Sequence, residues 1–289
     1  MKDSSGFTLM EILVVLGIIG MATLIAAAVI PTGSRDEASY QATLEIMGRL
    51  RQALLGVPPA HLAGERRYMG YIADMGELPD LLGDGKQPAG LWTDKVADVY
   101  GAKSNLPAWH YTGDETDTTN DARLWIGWHG PYIEASAGVL RDGWGNPLIF
   151  ERFDISADSG AEVANANGRN LRIKSLGSDG VLQKSGDGDT GYRADIELVI
   201  RVKDYLGSVA GYAGSEIDSI DINFPSRGKL KTMSLAKETD GYFFSGTGTD
   251  DRPLLPMGTR SLCLTTAGKS VKVIVLSLEP TANFTGTVR

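Results

Sequence analysis

The stretch from Phe7 to Ile30 constrains this chain more than any other. It is apolar throughout except for one ionisable residue, Glu11, and two threonines, Thr8 and Thr23. At about 1.5 Å per helical residue it can cross a bilayer core roughly 30 Å thick, so it predicts a membrane-spanning helix. A secretory signal would have a charged start, a shorter apolar centre and a small-residue cut site after it. Here only Met1 to Gly6 come first, Lys2 is their sole basic side chain, and the apparent cut site precedes the apolar run. A carboxylate inside a span costs on the order of 2–3 kcal/mol, less near a helix end, and so points to function. Cleavage between Gly6 and Phe7 would create a protonated α-amino group one helical turn from Glu11. That carboxylate could then neutralise an ammonium on its own chain or on a neighbour.

Gly6-Phe7-Thr8-Leu9-Met10-Glu11, followed by an unbroken apolar helix, resembles the prepilin cleavage and methylation signature of type IV pilins and type II secretion pseudopilins. The resemblance implies that a prepilin peptidase cuts after Gly6 and methylates the new N-terminal Phe7. It also implies that Glu11 guides docking by pairing with the N-terminus of an adjacent protomer. The family's setting follows: a single-pass anchor in a bacterial inner membrane, a globular part in the periplasm or beyond, and an inner-membrane assembly platform. The assembled fibre would hold other pilin or pseudopilin subunits, of the same or different kinds. Gly17 and Gly20 suit the family's small residues in this helix, and equally serve as plain helix-packing positions.

Beyond the span, Pro31-Thr32-Gly33 predicts a kink or break, because proline lacks a backbone donor and clashes with the preceding turn. Ser34 and Glu37 have the spacing of a capping box, which restarts an amphipathic helix to about Leu55. Leu44, Met47, Leu50 and Leu54 recur at helical spacing and are candidates for a core-facing stripe. Three later segments resemble pseudopilin sequence: Gly70 to Pro79, Gly127 to Ile133, and Asp142-Gly143-Trp144-Gly145-Asn146-Pro147 running into Leu148-Ile149-Phe150. The last is similar to the D-x-W-G-N-P turn and strand of major pseudopilins. Its residues alone predict a glycine and Asn-Pro turn, a large core contact from Trp144, and a strand from Leu148.

Cys263 is the single cysteine, so no intramolecular disulfide can staple the loops. Ser175 to Gly180, then Asp187-Gly188-Asp189 and Ala194-Asp195-Ile196, resemble the calcium loop of major pseudopilins. Hard oxygen ligands on a glycine-rich loop are what Ca²⁺ requires, and coordination could replace the missing staple. Asp179 and Asp187 are the first candidate ligands, Asp189 the third, and backbone carbonyls near Leu176 could complete the shell. The spacing departs from an EF-hand, since Gly191 and Leu198 stand where a third acidic ligand and the closing Glu belong. The same aspartates also favour simple turns.

From Ile196 the pattern turns to period two, with Leu198, Ile200 and Val202, then Ile220, Ile222 and Phe224. Further runs at 229–235, 241–245, 260–265 and 270–278 predict a small antiparallel sandwich of six or seven strands. The fold class expected is α+β. A pilin-like fold, with its long N-terminal transmembrane helix packed on a small antiparallel sheet, would be followed by an all-β sandwich-like domain. Its divisions are a leader at 1–6, the helix at 7–55 (transmembrane over 7–30), a globular pilin-like domain at 56–196 and the sandwich at 197–289.

At 289 residues, 42% apolar and 22% charged, the chain can build these cores. A net charge of −8 without a basic run argues against nucleic acid. No catalytic constellation emerges. Gly268-Lys269-Ser270 lacks the upstream glycine of a phosphate loop, since Cys263 stands there, and Gly246-Thr247-Gly248 lacks the third glycine of a dinucleotide fingerprint. His61, His110 and His129 are isolated, Cys263 reads as a packed thiol, and Asn283-Phe284-Thr285 is a sequon in form only. The expected function is therefore a non-enzymatic structural subunit of a type II secretion pseudopilus or type IV pilus-like fibre. The alternative is a minor pilin whose C-terminal β domain acts as an adhesin or cargo-binding module.

Overall fold

The computed structural model describes residues 9–29, 32–56, 61–62, 65–66, 70–83, 86–113, 122–157, 159–182, 191–237, 241–244, 254–267, 269–278 and 283–288. It is a mixed structure of helices and several antiparallel sheets. The first helix, α1 (Leu9–Val29), presents Leu9, Met10, Ile12, Leu13, Leu16, Ile18 and Met21 to the outside. A helix that is apolar all round is stable only inside lipid or among other helices. Among the described residues no helix is long and apolar enough to cross a membrane, the described side chains of α1 ending at Met21.

The second helix, α2 (Thr32–Leu55), ends where the sequence places its end but starts earlier. Ser34 lies inside its first turn and is not the N-cap. A helix start leaves its first N–H groups without partners, so helical geometry can begin right after a proline. Glu37 accepts from Gln41 Nε2 at 2.9 Å and from the Tyr192 hydroxyl. Met47, Leu50 and Leu54 are buried as their spacing predicts, whereas Leu44 is 40% exposed. Thr43 takes the inward place on that turn, fully buried.

Short elements follow: the paired β1 (His61–Leu62) and β2 (Glu65–Arg66), α3 (Tyr71–Met75), α4 (Val96–Tyr100), and β3 (His110–Tyr111) paired with β4 (Trp125–Ile126). A four-stranded antiparallel sheet is then built from β5 (Ile149–Ile155), β6 (Glu162–Ala164), β7 (Asn170–Ser175) and β8 (Ile196–Ile200), in the order β6-β5-β7-β8. Alternation along β7 sends Leu171 and Ile173 into a core shared with Phe150, Ile200 and the α2 residues Met47, Leu50 and Leu54. Arg172 and Lys174 point the other way and pair with Glu151, Glu162 and Glu197.

The strand expected to open the sandwich, Ile196–Ile200, belongs instead to this first sheet, where Leu171 faces Ile200 and Ile173 faces Leu198. Period two identifies a strand but not its partner. The sandwich proper begins at β9 (Leu206–Ala213). It continues through β10 (Ser219–Ser226), β11 (Lys229–Ser234), β12 (Ala236–Lys237), β13 (Tyr242–Phe244), β14 (Leu255–Pro256), β15 (Gly258–Thr266), β16 (Lys269–Leu278) and β17 (Asn283–Val288). One sheet runs β11-β10-β15-β16. The other centres on β9, flanked by β13, β14 and, in parallel, β17. Val209, Ile222, Phe243, Leu255, Leu262 and Leu278 are among the side chains between them. β9 had no clear sequence signal, because Gly207, Ser208 and Gly211 dilute its apolar alternation.

α3 joins the two halves. Gly258, at φ +117°, lets β15 press on it: an added Cβ would lie 2.9 Å from the Ala73 Cβ. Gly76, at φ +86°, caps the helix so closely that a Cβ there would meet the Pro225 carbonyl oxygen at 1.8 Å. Gly228 N–H donates to Met75 O at 2.9 Å, and Arg227 Nε pairs with Glu77 Oε1 at 3.1 Å.

Candidate functional site

Gly6 and Phe7 lie outside the described residues. Glu11 is in the first turn of α1, and only its backbone is described.

The Asp142–Pro147 turn is the best-defined of the family-like segments. Asp142 is buried, and its Oδ1 accepts from the N–H groups of Trp144 (3.0 Å) and Asn146 (2.8 Å). Its Oδ2 accepts from Ser175 Oγ at 2.7 Å, which ties the turn to the end of β7. Gly143 rests on α2, donating to Thr43 Oγ1 at 2.9 Å, and a Cβ there would sit 2.0 Å from the Ser39 carbonyl oxygen. Trp144 is half-buried at the helix surface, not in the core as expected, and its Nε1 donates to Asp36 Oδ1 at 3.4 Å. The close approach that Gly143 permits places the indole beside α2.

Asn146 Nδ2 donates to the Gly177 carbonyl at 2.9 Å, joining this turn to the proposed calcium loop. The loop's base is closed by Ser178 N–H donating to Tyr192 O at 2.8 Å. Tyr192 also meets α2, with its ring edge-on to Tyr40 at 5.8 Å and its hydroxyl on Glu37. These bonds from Tyr192 and Gln41 hold the Glu37 carboxyl below the usual range. Asp179 is exposed, and its Oδ1 accepts from Val181 N–H at 3.0 Å. Leu176 is half-buried beside it, while Asp187 and Asp189 lie outside the described residues. Among the described residues no group of three His, Cys, Asp or Glu side chains could hold a metal ion. The donors in view, one carboxylate and a glycine-rich backbone, are oxygen ligands of the kind calcium takes.

A second polar cluster, which sequence reasoning missed, sits at the α3 junction. Asp74 is buried on α3, and Tyr132 donates its hydroxyl to Asp74 Oδ2 at 2.9 Å while accepting from His129 N–H at 3.1 Å. Burial pushes the Asp74 carboxyl up to about 7, although the Tyr132 bond and the Arg260 charge both pull it down. Arg260 on β15 is 1% exposed and donates to the carbonyls of Pro256 (2.9 Å), Thr259 (2.6 Å), Ala73 (3.3 Å) and Met257. Burial lowers its guanidinium to about 9, with Asp74 opposing. Arg260 shares strand parity with the buried Leu262 and Leu264, and that was the one signal available in the sequence. Cys263 faces the other way on β15, half-buried, with Asn223 Nδ2 at 3.1 Å from its sulfur.

The cluster holds a buried carboxyl and a buried guanidinium: Arg260 ties β15 to α3 through the Ala73 carbonyl, and Asp74 ties α3 to Tyr132. The two cavities outlined, of about 200 and 390 Å³, lie elsewhere and share Val139 and Arg141.

No curated protein matches the chain. Residues 1–27 match the prokaryotic N-terminal methylation motif. The N-terminus of this protein therefore carries the methylation motif of prokaryotic prepilin-like proteins, the type IV pilin and pseudopilin class.

Proposed function

We propose that the chain is a structural subunit of a type II secretion pseudopilus or a related type IV pilus-like fibre, held in a bacterial inner membrane by its N-terminal helix. The methylation motif over residues 1–27 carries this reading. Prepilin peptidase removes Met1 to Gly6 and methylates Phe7, and Glu11 pairs with the N-terminal amine of a neighbouring subunit. Exposed apolar side chains along α1 support lateral packing of such helices, because surface of this kind needs lipid or a partner. The motif points to a fibre component, a class usually without enzymatic activity. Calcium at Asp179, Asp187 and Asp189, with the Leu176 carbonyl, would fasten the loop whose base already touches α2.

Protein recovered from its native host should begin at a methylated Phe7 by mass spectrometry. A retained leader, or a cut beyond Ile30, would overturn the assignment. Glu11→Ala should insert normally yet fail to enter fibres.

The adhesin or cargo-binding alternative draws on one observation in the sandwich. Tyr212 is 51% exposed and sits 5.2 Å, centroid to centroid, from Tyr242. α3 fixes that module to the rest of the molecule, so it would project at a defined angle.

A further inference from the structure

Two strands close the four-stranded sheet of the sandwich, β11 on one side and β16 on the other. Among the described residues each is paired on one flank alone, β11 with β10 and β16 with β15. The outer flank of such a strand turns backbone N–H and C=O groups outward, and folded proteins usually guard it with charge or with a bulge. β11 is guarded: Lys229 and Lys231 are both exposed within its six residues. In the first sheet the outer strands β6 and β8 carry Glu162 and Glu197.

β16 is guarded over its first third only. Lys269 and Lys272 lie there, and the register against β15 slips between them, so that Thr265 faces Ser270 while Leu264 faces Lys272 and Val271 is the extra residue. From Lys272 the pairing runs regularly to Leu278, which faces Gly258. The stretch Val273-Ile274-Val275-Leu276-Ser277-Leu278 carries neither charge nor proline. Leu276 and Leu278 fill the core and Ile274 packs against it, whereas Val275 turns to the other face and is 50% exposed. β17, which pairs with β9, has Gly286 in mid-strand and is a weaker template.

Symmetry selects the occupant. Every pairing in this sheet is antiparallel, and a strand that meets a copy of itself about a two-fold axis is antiparallel by construction. With the axis beside Val275, the middle of the uncharged stretch, Lys272 of each copy lies opposite Leu278 of the other, and no lysine faces a lysine. Val275 then meets Val275, a β-branched pair of the kind that stabilises neighbouring strands. One strand pair buries much less than the ~1,600 Å² of a standard interface, so it forms where chains are concentrated.

We propose that the β16 edge joins two copies of this chain, pairing residues 273–278 antiparallel across a two-fold axis and extending the sheet from one sandwich into the next. The contact is separate from the entry of the chain into a fibre, and Glu11→Ala should leave it unchanged. The test uses the full-length chain in an uncharged detergent at rising protein concentration. Association is read by sedimentation, and contact at the edge by a short bismaleimide linker.

Sedimentation should show dimers that grow with concentration. Val275→Lys, which sets like charges face to face at the axis, should weaken dimerisation at least tenfold with an unchanged melting temperature, and Val275→Thr should keep most of it. In a Cys263→Ser background, Val275→Cys should be cross-linked into dimers at least tenfold faster than Lys231→Cys on the opposite edge. A chain that stays monomeric overturns the proposal, as does a dimer indifferent to Val275→Lys. Equal cross-linking at the two edges overturns it as well, since association would then run through another surface such as α1.

Discussion

Thr43 and Gly143 show how two small residues hold a helix against a turn that is distant in sequence. The Thr43 hydroxyl donates to Ser39 O at 2.8 Å and accepts from Gly143 N–H at 2.9 Å, so one buried group serves both α2 and the turn. Gly143 is needed there for space: a Cβ would come within 2.0 Å of the Ser39 carbonyl, a backbone atom that cannot swing away. Gly143→Ala should therefore push the turn off α2 and forfeit that hydrogen bond, a loss of about 2–4 kcal/mol. The check is a denaturant melt, and an unchanged midpoint would refute the account. Asp142 fills its acceptor sites from Trp144, Asn146 and Ser175, and these three donors offset the burial of its carboxyl group. The turn itself was legible in the glycines and Asn-Pro. The place of Trp144 was not, since nothing local says that a helix from the N-terminus passes beside it.

At the scale of elements, α2 and the loop after β7 are connected through Tyr192. The loop base is pinned by Ser178 and Tyr192, and Tyr192 reaches Tyr40 and Glu37 on α2. If Asp179, Asp187 and Asp189 bind calcium, the ion closes a loop whose two ends are already in place, and its binding energy adds to the folded state. At a hundredfold excess over Kd that addition is about 2.7 kcal/mol. The melting temperature should fall on adding chelator and return with calcium, but not with an equal concentration of magnesium, which accepts such a flexible oxygen cage reluctantly. A melt indifferent to chelator would remove calcium from the description. Helix α2 was read correctly to its end at Leu55, because Met47, Leu50 and Leu54 repeat at helical spacing. Its start was misread, because Ser34 and Glu37 have the spacing of a cap although Thr32 is already helical.

Across the whole molecule, α3 joins the first sheet and the sandwich, and the joint has a charge state that changes near neutrality. Asp74 in the folded protein keeps its proton up to about pH 7, whereas its ordinary value is 3.8. The folded state thus binds more protons than the unfolded one between those values, so this group's contribution to stability is present in acid and lost as pH rises through 7. The window is worth on the order of 4 kcal/mol for a group so buried. Tyr132 and Arg260 face Asp74 and limit the loss, the first by a hydrogen bond and the second by its charge. Asp74→Asn keeps an acceptor for Tyr132 and removes the titration. The stability of the variant relative to the parent should therefore rise from pH 4 to about pH 7 and then level off, and two parallel pH curves would contradict the assignment. The sandwich was legible as a run of strands, but its junction was not: Gly258, Gly76 and Arg260 have no meaning until α3 lies against them.

What the sequence determined by itself is local. An apolar run with one acid near its start, a glycine-rich turn, and strands of period two are all properties of neighbouring residues, set by backbone conformation and by which side of an element meets water. The tertiary structure decided everything that depends on residues far apart in the chain. It assigned Ile196–Ile200 to the first sheet, set Trp144 beside α2, buried Arg260 against four carbonyls and lined up His129, Trp109, Trp125 and Tyr111. Pairing, close approach and desolvation arise only when separate segments meet, and periodicity carries no record of which segments those are.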